Sequence, residues 1–201
     1  MVQPLHYFPC IKAFVVMIQQ PTLLFDLSLP FKRSTFRNRT IIVGANGIIH
    51  LSVPIIGGRS VKLSYRDIEI DYKSEWQRDH FRTLCTFYGN SPFFMYYKDE
   101  LAVLFESKPR FLVEWNLQCL NWVLKKIKLG TQILIDEEIA ENDSSRFAVD
   151  SLLPSNYDAE CFSPFLRYNQ VFEDKVGFKP NLSILDLLFN AGPQTKSLLV
   201  G

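Results

Sequence analysis

The sequence predicts a mixed α+β fold in which an N-terminal sheet, containing a β-hairpin, packs against a cluster of helices. Strand-like apolar runs fill the first half of the chain, helical periodicity follows in the middle, and one further strand pattern comes after it. This order is not the regular βαβ alternation of a doubly wound sheet. The 201 residues, 47% of them hydrophobic, suffice for one sizeable core, so we expect a single domain over residues 1–201.

The predicted strands come first. TLLFDLSLPF, residues 22–31, supplies one apolar run, and FRNRTIIVGANGIIHLSVPII, residues 36–56, supplies two β-branched stretches. Asn46 and Gly47 lie between these two stretches, which is the strongest short-range signal for a β-hairpin. SVKLSYRDIEID, residues 60–71, alternates well enough to predict another strand.

The first predicted helix lies in SEWQRDHFRTLCTFYGN. Ser74 and Gln77 have the spacing of a capping box, and Gly89 is expected to end the helix. The apolar stripe that should face the core consists of Trp76, His80, Leu84 and Phe87.

Two more helices are predicted after it. The second has Ser91 as N-cap and Pro92 as its first residue, and it cannot continue past Pro109. The third lies in residues 110–130, and Gly130 is expected to end it. Its inward face is predicted to consist of Leu112, Trp115, Cys119, Val123 and Ile127.

A last strand and a polar loop follow the helices. TQILID, residues 131–136, predicts the strand, and the charged run that begins at Glu137 and Glu138 predicts a solvated loop. Residues from about 147 to 176 form the least regular part, because several Pro, Asn and Asp residues interrupt them.

Charge and cysteine content argue against several function classes. Lys and Arg total 22 against 21 Asp and Glu, and the net charge of +1 does not favour binding to nucleic acid. Cys10, Cys85, Cys119 and Cys161 are far apart, which indicates neither a disulfide framework nor a zinc site and favours a reducing compartment. Residues 1–21 lack a basic n-region, and prolines interrupt their apolar run. We therefore expect a cytoplasmic protein without a transmembrane segment, with no metal ligands and no assigned cofactor.

The segment FKRSTFRNR is the best local signal for anion binding. On an extended strand Arg37 and Arg39 would project from one face, with Lys32 and Arg33 just upstream. Such a patch could hold phosphate or carboxylate, but a solvated strand face carries similar charges. Both interpretations stay open.

His80 is a candidate general base, because it is one of only three histidines. It shares a helix face with Trp76 and Leu84, and a histidine on an apolar stripe is more often a hydrogen-bonded core residue than a catalyst. No G-x-S-x-G, G-x-G-x-x-G or P-loop motif occurs.

The segment GFKPNLSILDLLFNAGP predicts a very apolar helix with Ser183, Asp186 and Asn190 on one face. Ser183 as N-cap and Asp186 in the first turn would explain two of the three by capping. The alternative is that all three line a site. Because a carboxylate among bulky apolar side chains needs a partner, we expect Arg37 or Arg39 to meet Asp186.

The chain contains, in order, HYFPCIKAF, FRNRTIIVGANGIIHLSVPI, EWQRDHFRTLCTFYGNSPFFMYY and YNQVFEDKVGFKPNLSILDLLFNAGP. Together, from about residue 5 to residue 193, these segments resemble the WbqC-like family in the form common among Bacteroidota. The resemblance names no reaction but links the protein to O-antigen and other surface-polysaccharide biosynthesis. It also implies recurrent polar positions at Asn38, Arg39, His80, Asn181, Ser183, Asp186 and Asn190.

The chain departs from the resemblance at a few positions. Ala13 stands where a tyrosine is expected, and Leu29, Pro30 and Arg33 stand where acidic or amide residues and a lysine are expected. If those polar groups belong to the active constellation, the protein is altered or inactive.

The first functional hypothesis is a transferase-type enzyme that acts on a nucleotide-linked or lipid-diphosphate-linked sugar, although the sequence alone does not settle whether the chain is an enzyme. It requires a cleft that brings Arg39, His80 and Asp186 within about one substrate length. The catalytic candidates are His80 and Asp186, and the substrate-binding candidates are Arg37, Asn38, Arg39, Ser183 and Asn190.

The alternative is a non-catalytic interaction or scaffold protein of the same pathway. An exposed patch formed by Phe93, Phe94, Tyr96 and Tyr97 would favour it. Peripheral contact with a membrane and the oligomeric state are left open by the sequence.

Overall fold

The computed structural model describes residues 2–28, 30–57, 63–136 and 166–200. Helices and strands are mixed along the chain, which confirms the predicted α+β class. Leu29, Cys161 and the predicted loop at Glu137 and Glu138 lie outside the described residues. The strands are β1 (Val2–Gln3), β2 (Thr22–Asp26), β3 (Arg39–Gly44), β4 (Gly47–Ser52) and β5 (Gln132–Asp136). The helices are α1 (Ile11–Ile18), α2 (Trp76–Tyr88), α3 (Phe94–Glu106), α4 (Leu112–Lys126), α5 (Glu173–Val176), α6 (Ile184–Ala191) and α7 (Thr195–Val200).

Three strands form a parallel sheet in the order β1-β2-β5. Leu24 of β2 lies opposite Val2 on one side and Leu134 on the other. The neighbouring β2 residues Leu23 and Phe25 are completely buried, as the period of two along a strand requires. Helix α1, which the sequence did not predict, connects β1 to β2 and supplies the crossover that parallel strands need.

The predicted hairpin is confirmed as the antiparallel pair β3-β4, which forms a separate sheet. Its turn lies one residue earlier than an Asn-Gly turn would place it, because Gly44 pairs with Gly47 and the connecting residues are Ala45 and Asn46. The positive φ of 118° falls on Gly47, the first residue of β4. Glycine tolerates this conformation at little steric cost.

The strand predicted over residues 60–71 is wrong in its described part, 63–71, and its first three residues lie outside the described ranges. Tyr65–Asp67 forms a 3-10 turn, and only isolated bridges flank it. The backbone bonds of this segment go to separate parts of the chain: Phe31 N donates to Leu63 O, and Ile70 N donates to Arg110 O. Among the described residues, no single neighbouring strand forms a ladder with it.

Helices α2 and α3 are confirmed, and α2 ends at Gly89 as predicted, but the predicted N-caps are wrong. The N-cap of α2 is Glu75, and the Gln77 side chain donates to the carbonyl of Ser107 instead of closing a capping box. The Ser91 hydroxyl donates to Tyr88 O at 2.7 Å, so it satisfies the end of α2 and does not cap α3. The first regular residue of α3 is therefore Phe94.

All five of the residues predicted to face inward from the third middle helix are buried, four of them on α4 and Ile127 at its C-cap. Helix α4 ends at Lys126, and the left-handed conformation expected at Gly130 occurs at Lys128 instead, with φ 53°. None of the helices within the described ranges is long and apolar enough to cross a bilayer. That residues 1–201 form one domain stays a prediction.

The aromatic patch predicted on α3 forms only in part. Phe94 is buried and Tyr97 is half-buried, because both rings pack against Phe189 of α6. Tyr96 is 79% exposed, and Met95 beside it is 62% exposed. The four aromatics therefore do not form one surface.

Helix α6 lies at the centre of the fold. Ser183, the residue before it, bridges Cys10, and its N–H donates to Ile41 O of β3 at 2.8 Å. Ile184 N donates to Pro9 O at 2.9 Å. The start of α6 is thus held between the N-terminal segment and the hairpin, which fixes the position of every side chain on the helix.

Candidate functional site

Asp186 of α6 is fully buried and keeps three hydrogen-bond donors around its carboxylate. Tyr88 Oη donates to Oδ1 at 2.7 Å, while Tyr168 Oη at 2.5 Å and Gln170 Nε2 at 3.1 Å donate to Oδ2. Burial raises the pKa of Asp186 to about 6, and the three hydrogen bonds oppose that rise. The carboxylate is therefore ionised at neutral pH and titrates just below it.

The predicted arginine partner of Asp186 is wrong. Two phenols and an amide satisfy the carboxylate without adding a second buried charge, which would itself be costly to desolvate. Neutral donors of this kind leave the aspartate as the acceptor at the centre of a hydrogen-bond network.

The two arginines do not form the predicted patch. Arg37 lies in a turn and not on an extended strand, since the backbone N–H groups of Asn38 and Arg39 both point to Thr35 O. It is 3% exposed, its Nη1 donates to Pro30 O at 2.9 Å, and its guanidinium lies 5.4 Å from the centre of the Tyr65 ring. Arg39 begins β3 and is half-buried. The Arg37 side chain is thus committed to the interior.

His80 is buried on α2 in an aromatic environment. Its Nδ1 is 2.9 Å from Tyr7 Oη, its ring also hydrogen-bonds to the backbone of Ser52, and the ring of Trp76 packs edge-on at 5.2 Å. Burial lowers the pKa of His80 to about 4, so the imidazole is neutral at physiological pH. These contacts are those of a core histidine, and its catalytic role stays a prediction.

The structure separates His80 from Asp186. His80 and the aspartate's partner Tyr88 are eight residues apart on α2, which corresponds to about 12 Å along the helix axis. Four clefts lined by described residues contain neither Arg39 nor His80 nor Asp186 in their linings. None of these four clefts brings the three residues together as the first hypothesis requires.

The remaining predicted residues have identifiable local partners. Ser183 Oγ accepts from Leu185 N at 3.3 Å, which confirms it as the N-cap of α6. Asn38 Nδ2 donates to Val53 O at 3.2 Å and so ties the turn to the end of the hairpin. Asn190 Nδ2 donates to Asp186 O at 2.8 Å.

Asn190 also lines a surface cleft beside the buried aspartate, which we call the Asn190 cleft. It consists of two depressions, of about 260 and 450 Å³, that share Asn169 and Asn190. Tyr168 lines the smaller depression and Gln170 lines the larger one. Two of the three donors to the Asp186 carboxylate thus face the cleft.

The cleft combines neutral amide groups with access to a base. Asn169 and Asn190 each offer a donor and an acceptor, which suits a ligand rich in hydroxyl or amide groups. Asp186 itself has no exposed surface, and of its hydrogen-bond donors that line the cleft, Tyr168 is the one with an exchangeable hydroxyl proton. Among the described residues, no group of three or more His, Cys, Asp or Glu side chains is placed to hold a metal ion.

Sequence reasoning missed the partners of Asp186. The sequence pattern could have identified Tyr88 as an inward-facing residue, because it continues the four-residue spacing of Trp76, His80 and Leu84. The structure shows that Tyr88 is buried. Phe87, which was predicted in its place, is half-buried. Tyr168 and Gln170 lie in an irregular segment, where no periodicity indicates which side chains turn inward.

A family model described as the WbqC-like protein family matches residues 3–155 of the chain. No curated protein and no solved structure matches the chain. The matched region contains β2 to β5 and α1 to α4, and it ends before Tyr168 and α6. Of the groups around the buried aspartate, the family match therefore includes Tyr88 alone.

Proposed function

The chain belongs to the WbqC-like protein family, and from this premise we propose that it is a cytoplasmic transferase-type enzyme of O-antigen or other surface-polysaccharide biosynthesis. Its substrate is a nucleotide-linked or lipid-diphosphate-linked sugar. The pathway is what the family resemblance implies, whereas the assignment of the sugar site rests on the Asn190 cleft.

One observation carries the proposal: a buried carboxylate is hydrogen-bonded to side chains that line an open cleft. Tyr168 is 8% exposed and joins the smaller depression to Asp186 through a 2.5 Å hydrogen bond. A substrate hydroxyl that donates to Tyr168 Oη would complete a relay to the aspartate. With a pKa of about 6, Asp186 is mostly ionised at neutral pH and has the strength of a general base.

In the proposed step, the hydroxyl oxygen of an acceptor attacks the anomeric carbon of the donor sugar. The new carbon–oxygen bond forms while the bond from that carbon to the diphosphate oxygen breaks, and the diphosphate leaves with the electron pair. The hydroxyl proton passes to Tyr168 Oη as the Tyr168 proton passes to Asp186. Asn169 and Asn190 orient the sugar by hydrogen bonds.

The proposal is tested by following release of nucleoside diphosphate from UDP-glucose, UDP-N-acetylglucosamine, GDP-mannose and dTDP-rhamnose, with monosaccharides as acceptors. Tyr168→Phe should lower kcat about 100-fold, the size of a typical general-base contribution, and leave sugar binding intact. Asn190→Ala should raise KM, and Asn46→Ala, in the exposed hairpin turn, should do neither. Equal turnover by wild type and Tyr168→Phe would contradict the relay.

The interaction protein remains a second candidate because of one observation on α3. Tyr96 and Val103 lie two helical turns apart on its outer face and are 79% and 67% exposed. If this face binds a partner, Tyr96→Ser should abolish co-purification of that partner while leaving the cleft intact. Sugar turnover by the wild type would favour the enzyme instead.

A further inference from the structure

We propose that Arg167 is the anion anchor of the Asn190 cleft and binds the diphosphate group of the sugar donor. This inference rests on the proposed function and names the part of the substrate that the smaller depression recognises. It assigns to Arg167 the anion-binding role that was expected of Arg37, because the Arg37 side chain is committed to Pro30 O and the Tyr65 ring.

Arg167 lines the smaller depression together with Tyr168 and Asn190. Its guanidinium lies 4.3 Å from the centre of the Phe178 ring, and stacking of this kind restrains a planar guanidinium while leaving its N–H groups at the edge free to donate. Among the described residues that line this depression, Arg167 is the only one with a charged side chain. A ligand anion in the cleft would therefore meet this cation first.

A ligand anion can replace Glu173, the ion-pair partner of Arg167, at little cost in free energy. Arg167 Nη2 donates to Glu173 Oε1, and the two side chains are 61% and 26% exposed. Ion pairs at the surface are weak because water and salt screen them. A diphosphate carries more charge than one carboxylate and accepts the guanidinium fork with two oxygens, so it can displace Glu173.

The position of Arg167 also fits the proposed reaction. Arg167 and Tyr168 both line the smaller depression, and both pack on Phe178, with the guanidinium 4.3 Å and the Tyr168 ring centre 5.6 Å from the centre of that ring. A diphosphate on Arg167 would place the attached sugar carbon near Tyr168 Oη, where the acceptor hydroxyl loses its proton. Arg167 would then hold the leaving diphosphate, while Tyr168 takes the proton of the hydroxyl that attacks the anomeric carbon.

The test is calorimetric titration of inorganic pyrophosphate into the wild type and three variants. Arg167→Gln should weaken binding about tenfold or more, as expected for loss of a charge-assisted bidentate contact. Glu173→Gln should tighten binding a few-fold, because it removes the competing carboxylate. The matched control is Arg78→Gln, since Arg78 is 67% exposed and pairs with Glu75 in the same way, and it should bind as the wild type does.

Uridine diphosphate and geranyl diphosphate then distinguish a nucleotide donor from a lipid donor. Binding of either that depends on Arg167 supports the anchor, and the ligand that binds names the source. Equal pyrophosphate binding by Arg167→Gln and Arg78→Gln, or no pyrophosphate binding by the wild type, would overturn it. Neither result alters the effect of Tyr168→Phe on turnover, so failure of the anchor and failure of the enzyme proposal are separable.

Discussion

Replacing Asp186 by asparagine should change how the stability of the protein depends on pH. Burial raises the pKa of Asp186 from 3.8 to about 6, so the folded protein binds this proton more tightly than the unfolded chain does. The stability linked to that proton is complete below about pH 3.8 and is lost as the pH rises through 6. Asparagine cannot ionise, so the variant does not suffer this loss.

The size of the effect follows from the two pKa values. A rise from 3.8 to about 6 corresponds to about 3 kcal/mol of unfolding free energy. When the pH rises from about 4.5 to about 7.5, the wild type should lose about 2 kcal/mol of unfolding free energy through Asp186, and the variant should not. The stability of the variant relative to wild type should therefore increase by that amount. Asparagine also changes the hydrogen bonds with Tyr88, Tyr168 and Gln170, but that offset is the same at every pH.

Two buried histidines change the unfolding free energy with pH in the direction opposite to Asp186. The variant must therefore be compared with wild type at each pH. Burial lowers the pKa of His80 to about 4 and, with the charge of Arg37, that of His6 to about 3. Both rings are neutral in the fold, so the stability they contribute is present above pH 6.5 and is lost as the pH falls towards those values. Because wild type and variant share this loss, their difference isolates Asp186.

The measurement is urea unfolding followed by tryptophan fluorescence, with wild type and Asp186→Asn compared at about pH 4.5, 6 and 7.5. Asp99→Asn, on the exposed face of α3, is the matched control and should track the wild type. If the difference between Asp186→Asn and wild type is constant across this range, Asp186 does not titrate as argued, and its assignment as the base loses its physical support.

Three further predictions concern single side chains, and urea unfolding tests each. Ser183→Ala removes the acceptor of Leu185 N and should lower the unfolding free energy by about 1 kcal/mol, whereas Ser183→Thr should retain most of it. Gly192→Ala should cost about 1–3 kcal/mol, because the new Cβ would lie 2.4 Å from the Phe93 ring at a φ of 52°, and an unchanged midpoint would show that Phe93 moves freely. His80→Phe loses the hydrogen bond to Tyr7, so it should be less stable than wild type at about pH 7. On acidification towards about pH 4 it should lose less stability than wild type does, because phenylalanine cannot be protonated.

Features that depend on neighbours in sequence could be predicted, and features that depend on distant pairing could not. Asn46 and Gly47 predict the hairpin because its two strands are adjacent in the chain. The parallel sheet pairs Thr22 with Gln132, and nothing local to either segment specifies that partner. Helix α1 is not predicted by the sequence because Pro9 interrupts the apolar run, whereas the helix begins just after it, at Ile11.

The candidate site divides in the same way. That Asp186 needs a buried partner follows from the cost of burying a carboxylate among apolar side chains. Which partner it has does not follow, because Tyr88 is 98 residues away in sequence and Tyr168 lies 18 residues away in an irregular segment. An arginine is the obvious complement to a carboxylate by charge, but a pair of phenols stabilises it without a second desolvation cost.

The departures from the family resemblance bear on Arg37 and not on the Asn190 cleft. Pro30 supplies the carbonyl that Arg37 Nη1 contacts, and Arg33 donates to Ile55 O near the same turn. Ala13 is fully buried on α1. None of these three residues lines the described cleft, so the proposed sugar site does not depend on their polar counterparts. A chain altered around the Arg37 turn can therefore retain the Tyr168 relay, and turnover that depends on Tyr168 would show that the departures do not inactivate it.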